Sequence, residues 1–167
     1  MSSLPKRLST LGLLLVALIV LPSAGATETE SEPGLVEDIK ATARPILKAL
    51  SMLGTPYKFG GSNPDQGMDC SGFVKHVYKE TADLTLPRSA RDMSSLGESV
   101  AKSDLKPGDL VFFNTRRQPN SHVGIYKGNG EFVHASSTRH KAVTVSRMDQ
   151  KYWASRFNGA RRVLPVE

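Results

Sequence analysis

Cys70 is the only cysteine of this 167-residue chain, so no disulfide within the chain can hold its fold together. Exported proteins usually use cysteines in pairs, because their compartment is oxidising. The chain nevertheless begins like an export signal, since Lys6 and Arg7 precede an apolar run over 11–21. The fold must therefore rest on a hydrophobic core, and the single thiol needs another explanation.

The chain divides into a signal, a leader and one domain. Ala24-Gly25-Ala26 is a small-x-small cleavage pattern, which predicts a signal peptide over 1–26 and a location in the periplasm or cell envelope. An uncleaved N-terminal anchor is the alternative. No cysteine follows the apolar run, so no lipid anchor is expected. The polar, acidic stretch 27–34 is predicted to be a flexible leader, and 35–167 suits one domain with one core.

The charge balance narrows the range of partners. The chain carries 22 Lys and Arg against 16 Asp and Glu, a formal net charge of +6. A mild positive balance favours an anionic envelope surface. Arg116-Arg117 and Arg161-Arg162 are isolated pairs, and no basic stripe is interleaved with aromatic residues. We therefore expect no nucleic-acid partner, and we expect a monomer.

The first half of the chain has helical patterns. Apolar residues at helical spacing predict one or two helices over 35–53, interrupted by Pro45 and ended by Gly54. Residues 55–67 carry turn signals and are predicted to be a loop. Asp69 is a good N-cap for a helix over about 70–80. A short helical piece should follow Ser89 and end near Gly97.

The second half of the chain has strand patterns. Short apolar runs separated by Gly, Asn and Pro predict strands over 110–113, 122–126, 131–135, 142–145 and 159–164. Helices followed by an antiparallel sheet are an α+β arrangement.

Cys70 lies at the predicted start of a helix. The N–H groups and the dipole at that position stabilise an anion, which favours the reactive thiolate. The Cys70 N–H is also placed to hold the oxyanion of an acyl-transfer intermediate. The alternative is a small, buried core residue, because unpaired cysteines are often buried.

His122 and His134 lie on predicted strands downstream of Cys70. His122 is the candidate base, and His134 is the candidate orienter that fixes its tautomer. A zinc site is the rival use of two histidines, but neither the local spacing nor a cysteine pair supports one. We therefore expect no metal and no cofactor. His76 and His140 are expected at the surface.

The hairpin between the two histidines decides whether they can meet, because side chains alternate across a strand. A two-residue turn, Gly128-Asn129, would place Tyr126 opposite Glu131 and put the two histidines on opposite faces. A three-residue loop over 128–130 instead pairs Tyr126 with Phe132. His134 then lies diagonal to His122 on one face, with space left between them by Gly124. Gly130 takes the left-handed conformation that such loops require.

These residues resemble a known family. The motifs are Gly54-Thr55-Pro56-Tyr57, Gly60-Gly61, Asp69-Cys70-Ser71-Gly72-Phe73-Val74, Leu86-Pro87-Arg88-Ser89, Pro107-Gly108-Asp109-Leu110-Val111-Phe112-Phe113, His122-Val123-Gly124-Ile125-Tyr126 and Phe132-Val133-His134-Ala135-Ser136. In this order they resemble the NlpC family of bacterial cell-wall cysteine peptidases, which have a papain-like fold. The tail, Tyr152-Trp153 and residues 159–164, looks most like the Spr-type (MepS-like) murein endopeptidases of Gram-negative bacteria.

The resemblance implies a reaction and a site. It implies Cys70 as the nucleophile, His122 as the base and His134 as the third polar residue. It also implies that Tyr57, Asp69 and Ser71 line the substrate groove, although Asp69 could serve only as the N-cap. The implied partners are peptidoglycan stem peptides. The expected reaction is cleavage of the D-alanyl–meso-diaminopimelate crosslink; the alternatives are cleavage of the γ-D-glutamyl–diaminopimelate bond, a related amidase or acyltransferase, and a non-catalytic wall-binding protein.

Overall fold

Helices pack against an antiparallel sheet in the computed structural model, which describes residues 33–115, 118–138 and 140–164. The side chains of the first helix are described from residue 40 onward. The architecture confirms the predicted α+β class. The predicted signal peptide over 1–26, and the leader as far as residue 32, lie outside the described residues.

The described helices are short or amphipathic. None of them is long and apolar enough to cross a lipid bilayer.

Helix α1 spans Pro33–Ser51 without a break, with Pro45 inside it. The predicted leader therefore ends too late, because residues 33 and 34 are already helical. Proline suits a helix start, where its missing N–H leaves no helical acceptor unsatisfied. Among the described side chains, Ala49 is buried in the core, whereas Leu47 is 66% exposed. Pro45 is also buried, and Leu50 packs partly buried against the core, so the helix contributes fewer apolar side chains to the core than its pattern predicts.

A small hairpin lies where a loop is predicted over 55–67. Its strands are β1 (Ser62–Asn63) and β2 (Gly67–Met68), which pair antiparallel. Two-residue strands carry no recognisable alternation of apolar and polar residues, so no sequence pattern announces them. The hairpin leads the chain directly into the next helix.

Helix α2 spans Cys70–Ala82 and begins at the predicted residue. It continues two residues beyond the predicted end, and Asp83 closes it in the left-handed conformation with φ 50°. Helix α3 spans Ala90–Met93 after the N-cap Ser89, so its predicted end near Gly97 is wrong. Gly97, with φ 64°, instead turns the chain into a strand that was not predicted.

The six strands of the sheet are β3 (Glu98–Val100), β4 (Leu110–Phe113), β5 (His122–Gly128), β6 (Glu131–Ala135), β7 (Val143–Arg147) and β8 (Phe157–Arg162). They lie in the order β3-β8-β4-β5-β6-β7, and every neighbouring pair is antiparallel. Strand β7 begins at residue 143 and β8 at residue 157, so the predicted strands over 142–145 and 159–164 are misplaced by one or two residues. A 3-10 helix, Lys102–Asp104, follows β3, and helix α4, Lys151–Ala154, precedes β8.

The sheet buries both of its faces. Alternate residues of β5 and β6 belong to the core that includes the residues of α2; these are Val123, Ile125, Val133 and Ala135. A second cluster includes residues of β4, β6 and α4; it contains Val111, Phe113, Phe132 and Trp153. The strands therefore hold a fixed register, since a slip of one residue would exchange the two faces.

Candidate active site

The start of α2 is fixed by a side-chain cap. Asp69 has extended backbone angles, and its Oδ1 accepts a hydrogen bond from Gly72 N at 2.7 Å. Residue 72 must be glycine here, because a Cβ would lie 2.2 Å from the carbonyl oxygen of Gly61. The cap and this close approach place Cys70 in the first turn, where amide N–H groups lack acceptors within the helix.

Arg88 clamps the capping carboxylate. Its Nη1 and Nη2 donate to Asp69 Oδ1 and Oδ2 at 2.9 and 2.8 Å, and Nη1 also donates to Ser71 Oγ at 2.9 Å. The Ser71 hydroxyl donates to Asp69 Oδ1, and Gly60 N donates to Oδ2 at 3.0 Å. The Asp69 carboxylate therefore has donors on both oxygens from within the protein.

The electrostatics of this clamp keep both groups charged. Burial alone would raise the pKa of Asp69, but the hydrogen bonds from Arg88 and Gly72 outweigh it and lower the pKa. The hydrogen bond from Arg88 to Asp69 in turn raises the pKa of the guanidinium. The Arg88 motif was visible in the sequence, but no role could be assigned to it without this contact.

The two histidines predicted to interact do so. His122 Nε2 and His134 Nδ1 are 2.9 Å apart, and their rings are nearly perpendicular at 83°. Tyr126 pairs with Phe132, which confirms the predicted register. The turn itself differs from the prediction: Gly128 pairs with Glu131, and an irregularity between Tyr126 and Gly128 accommodates the extra residue.

Glycines make this hairpin possible. Gly130 has the predicted left-handed conformation, with φ 73°. A Cβ at Gly124 would lie 2.6 Å from Phe132 Cδ2 and 3.2 Å from His134 Cβ. Gly124 thus supplies the space next to His134 that the sequence predicted.

An aromatic cage surrounds the histidine pair. The Trp153 ring centroid lies 5.3 Å from that of His122 and 4.9 Å from that of His134, and Phe132 lies 4.8 Å from His134. His134 is only 1% exposed. Its pKa is lowered well below the ordinary value, first by burial and then by the nearby His122 and His140. His134 is therefore a neutral imidazole at physiological pH.

The second nitrogen of His134 also has a partner. Its Nε2 lies 2.9 Å from Ser146 Oγ on β7. Sequence reasoning missed Ser146 and Trp153, because neither lies in a recognisable catalytic pattern and their positions depend on the register of β7 and on α4. His76 is half-buried, contrary to the expected surface location, and its pKa is lowered chiefly by burial. His140 is exposed, as expected.

A groove of about 540 Å³ is lined by four of the predicted site residues, whereas His122 and His134 are not among its lining residues. It is lined by Tyr57, Asp69, Cys70, Ser71, Arg88, Arg91 and Ser121, among others. Tyr57 is held there by backbone pairing, since its N donates to Lys141 O at 2.7 Å. Ser121 immediately precedes His122, so the groove brings the thiol of α2 to the start of β5.

The described part of the chain shows no cluster of side chains that could bind a metal ion. No group of three or more His, Cys, Asp or Glu side chains there is placed to hold a metal ion. The expectation of no metal and no cofactor stays a prediction.

Comparisons with known proteins agree with these features. The model of the NlpC/P60 family matches residues 54–162. A gamma-DL-glutamyl hydrolase of Bacillus subtilis (strain 168) is 45% identical over 118 residues, which cover 70% of this chain and 28% of the hydrolase. The murein DD-endopeptidase MepS/murein LD-carboxypeptidase of Escherichia coli (strain K12) is 42% identical over 142 residues, covering 85% of this chain and 73% of that enzyme.

A solved structure extends the similarity to three dimensions. An NlpC/P60 family protein from Bacillus cereus ATCC 10987 has a TM-score of 0.68 and 32% identity, covering 74% of this chain and 40% of that chain. The motif positions, the papain-like α+β fold and the family match point to one conclusion. The chain belongs to the NlpC/P60 family.

Proposed function

We propose that this protein is a cysteine endopeptidase that hydrolyses stem-peptide bonds of peptidoglycan. The observation that carries the proposal is the arrangement of the site. The thiol lies in the first turn of α2 on a groove that is also lined by Ser121, and the next residue, His122, bonds a second, buried histidine. The names of the relatives, a murein endopeptidase and a gamma-DL-glutamyl hydrolase, support this substrate class.

The proposed reaction begins with the Cys70 thiolate attacking the carbonyl carbon of the scissile amide. The backbone N–H of Cys70 donates to the oxyanion that forms. His122 uses Nε2 for its bond to His134, so Nδ1 is the nitrogen that exchanges a proton with the thiol and then with the leaving amine. The amine departs and leaves a thioester. Water, deprotonated by His122, hydrolyses the thioester and restores the thiol.

The charge of the groove bears on which bond is cut. Among the described residues that line it, Asp69 is the one carboxylate, and Arg88 already neutralises it. A subsite for the free amine of a trimmed stem would need an anion to face that amine. We therefore propose that Asp69 acts mainly by holding α2 and Arg88, and that Tyr57 and Ser71 contact the stem. Arg91 adds positive charge, which suits the carboxylates of the stem.

This reasoning favours the D-alanyl–diaminopimelate crosslink, as does the murein DD-endopeptidase relative. The γ-D-glutamyl–diaminopimelate bond is the second candidate, and the name of the Bacillus subtilis relative favours it. Purified protein should convert a crosslinked muropeptide dimer into monomers and leave uncrosslinked tetrapeptide monomers intact. Conversion of those monomers to a dipeptide-stem product, identified by mass spectrometry, would establish the second candidate instead.

The remaining proposals concern the cell. We propose that the chain is exported through the signal over 1–26, acts as a monomer in the periplasm or envelope, and needs no lipid anchor. Fractionation of cells that express the full chain tests the location. A non-catalytic wall-binding protein would bind peptidoglycan without cleaving it. The digestion of the crosslinked muropeptide dimer distinguishes such a protein from an endopeptidase.

A further inference from the structure

We propose that Ser146 is a positioning residue for the reaction: its hydroxyl accepts the Nε2 proton of His134 and keeps His134 in the tautomer that orients His122. This inference rests on the proposed cysteine-peptidase function. Nothing in the sequence motifs points to Ser146, and the inference comes from the strand register and the bond that it produces.

The register of β6 and β7 brings the two side chains together. His134 is directly opposite Thr144, and Phe132 is directly opposite Ser146. Ser146 is therefore diagonal to His134 on the same face, and its Oγ reaches Nε2 at 2.9 Å. The neighbouring hydroxyl of Thr144 turns toward its own strand, toward Val145 O at 3.5 Å. One hydroxyl of β7 thus bonds the imidazole.

The neutral state of His134 makes its tautomer decisive. A neutral imidazole has one N–H and one acceptor nitrogen. If Nε2 carries the proton, it donates to Ser146, and Nδ1 accepts from His122 Nε2–H. Nδ1 of His122 is then the position that takes up and returns the thiol proton. In the other tautomer, Nδ1 of His134 carries the proton and donates it to Nε2 of His122. When His122 then becomes an imidazolium, its Nε2–H would face the Nδ1–H of His134, and the two N–H groups would repel each other.

Ser146 can favour the first arrangement because it lines a second cavity. This cavity, of about 350 Å³, is lined by Ser136, Thr138, Thr144, Ser146, Tyr152 and Trp153, among others. The hydroxyl proton of Ser146 can point into this polar space while the oxygen accepts from His134. Without the hydroxyl, a proton on Nε2 would be buried with no acceptor from residue 146, so the tautomer equilibrium would move toward Nδ1–H.

A pair of isosteric variants tests the role of the hydroxyl. Ser146→Val and Ser146→Thr differ only in that valine has a methyl group where threonine has the hydroxyl. Thr144→Val is the control, because it removes a neighbouring hydroxyl that lines the same cavity. The first readout is the imidazole tautomer, obtained from ¹⁵N chemical shifts. The second is the rate of iodoacetamide alkylation of Cys70 against pH, which needs no peptidoglycan. The titrating groups that act on His134 are His122 and His140.

We expect wild-type His134 to carry its proton on Nε2. Ser146→Val should move that proton toward Nδ1 and slow alkylation at neutral pH by about 10- to 100-fold, the range expected when one buried hydrogen bond is lost. Ser146→Thr and Thr144→Val should behave like wild type.

A wild-type His134 protonated at Nδ1 would overturn the inference, even if Ser146→Val failed to fold. A folded Ser146→Val with unchanged tautomer and alkylation would also overturn it. The failure of the proposed function is distinguishable, because both readouts remain measurable in a protein that cleaves no muropeptide.

Discussion

Arg88 and Asp69 form a two-pronged ion pair across 19 residues of sequence, with N–O distances of 2.9 and 2.8 Å. The carboxylate is also the N-cap of the helix that starts with Cys70. The pair therefore connects the segment before α3 to the first turn of α2. The pair thereby helps to hold in place the helix that carries the thiol.

Arg88→Met should destabilise the protein by about 1–2 kcal/mol. Charged hydrogen bonds contribute about 1.5–3 kcal/mol, and the exposure of about two-fifths of the Arg88 side chain reduces that value by solvent screening. Chemical denaturation measures the effect. Arg91→Met is the matched control, since Arg91 lines the same groove and is exposed, and it should change stability by less than about 0.5 kcal/mol. Equal losses of stability in the two variants would show that the ion pair between Arg88 and Asp69 does not stabilise the fold.

His134 should make stability depend on pH in a defined direction. Its folded-state pKa lies below the ordinary value of 6.5, so between these two values the unfolded chain binds a proton that the folded chain does not. Stability should therefore fall as pH drops below 6.5, by up to about 1.4 kcal/mol per pH unit from this group, and stay level above it.

The difference between wild type and His134→Asn isolates that contribution. Urea denaturation between pH 5 and pH 8 should show a shallower loss of stability toward acid in His134→Asn. Thr144→Val is the control and should keep the wild-type dependence, because Thr144 lies opposite His134 in the sheet and carries no titrating group. Identical slopes for wild type and His134→Asn would contradict the buried, neutral state of this imidazole.

Gly124→Ala should destabilise the fold by about 1–3 kcal/mol, the usual cost of overpacking. Its Cβ would meet Phe132 Cδ2 at 2.6 Å and Val133 O at 3.0 Å, and backbone cannot move as a flexible side chain can. His134 Cβ, at 3.2 Å, should shift as well. Thermal unfolding and the ¹⁵N spectrum of His134 check both effects. Wild-type stability with an unchanged spectrum would mean that the hairpin has more room than the structure shows.

The sequence predicted those parts of the site that depend on local rules. Asp69 followed by an apolar stripe placed the start of α2 at Cys70, because N-caps have a strong chemical signature. The pairing of Tyr126 with Phe132 followed from alternation and the glycines of the turn. Both predictions use residues close in sequence.

The parts that were missed depend on distant contacts. Arg88 donates to Asp69, 19 residues away, and to the carbonyl oxygen of Gly61, 27 residues away, and no periodic pattern predicts either contact. The bond from Ser146 to His134 depends on the register between β6 and β7, and the predicted start of β7 was one residue early. Short strands and four-residue helices carry too few residues for a hydrophobic pattern to locate their ends.

The proposed role of the Cys70 thiol is the central claim, and digestion of crosslinked muropeptides by Cys70→Ala tests it most directly. The substitution removes the nucleophile and leaves the cap, the clamp and the histidine pair in place, so the variant should fold with wild-type circular dichroism. Its rate of hydrolysis should fall by about 1,000-fold or more. A well-folded Cys70→Ala that still cleaves the dimer at a comparable rate would contradict the thiol mechanism.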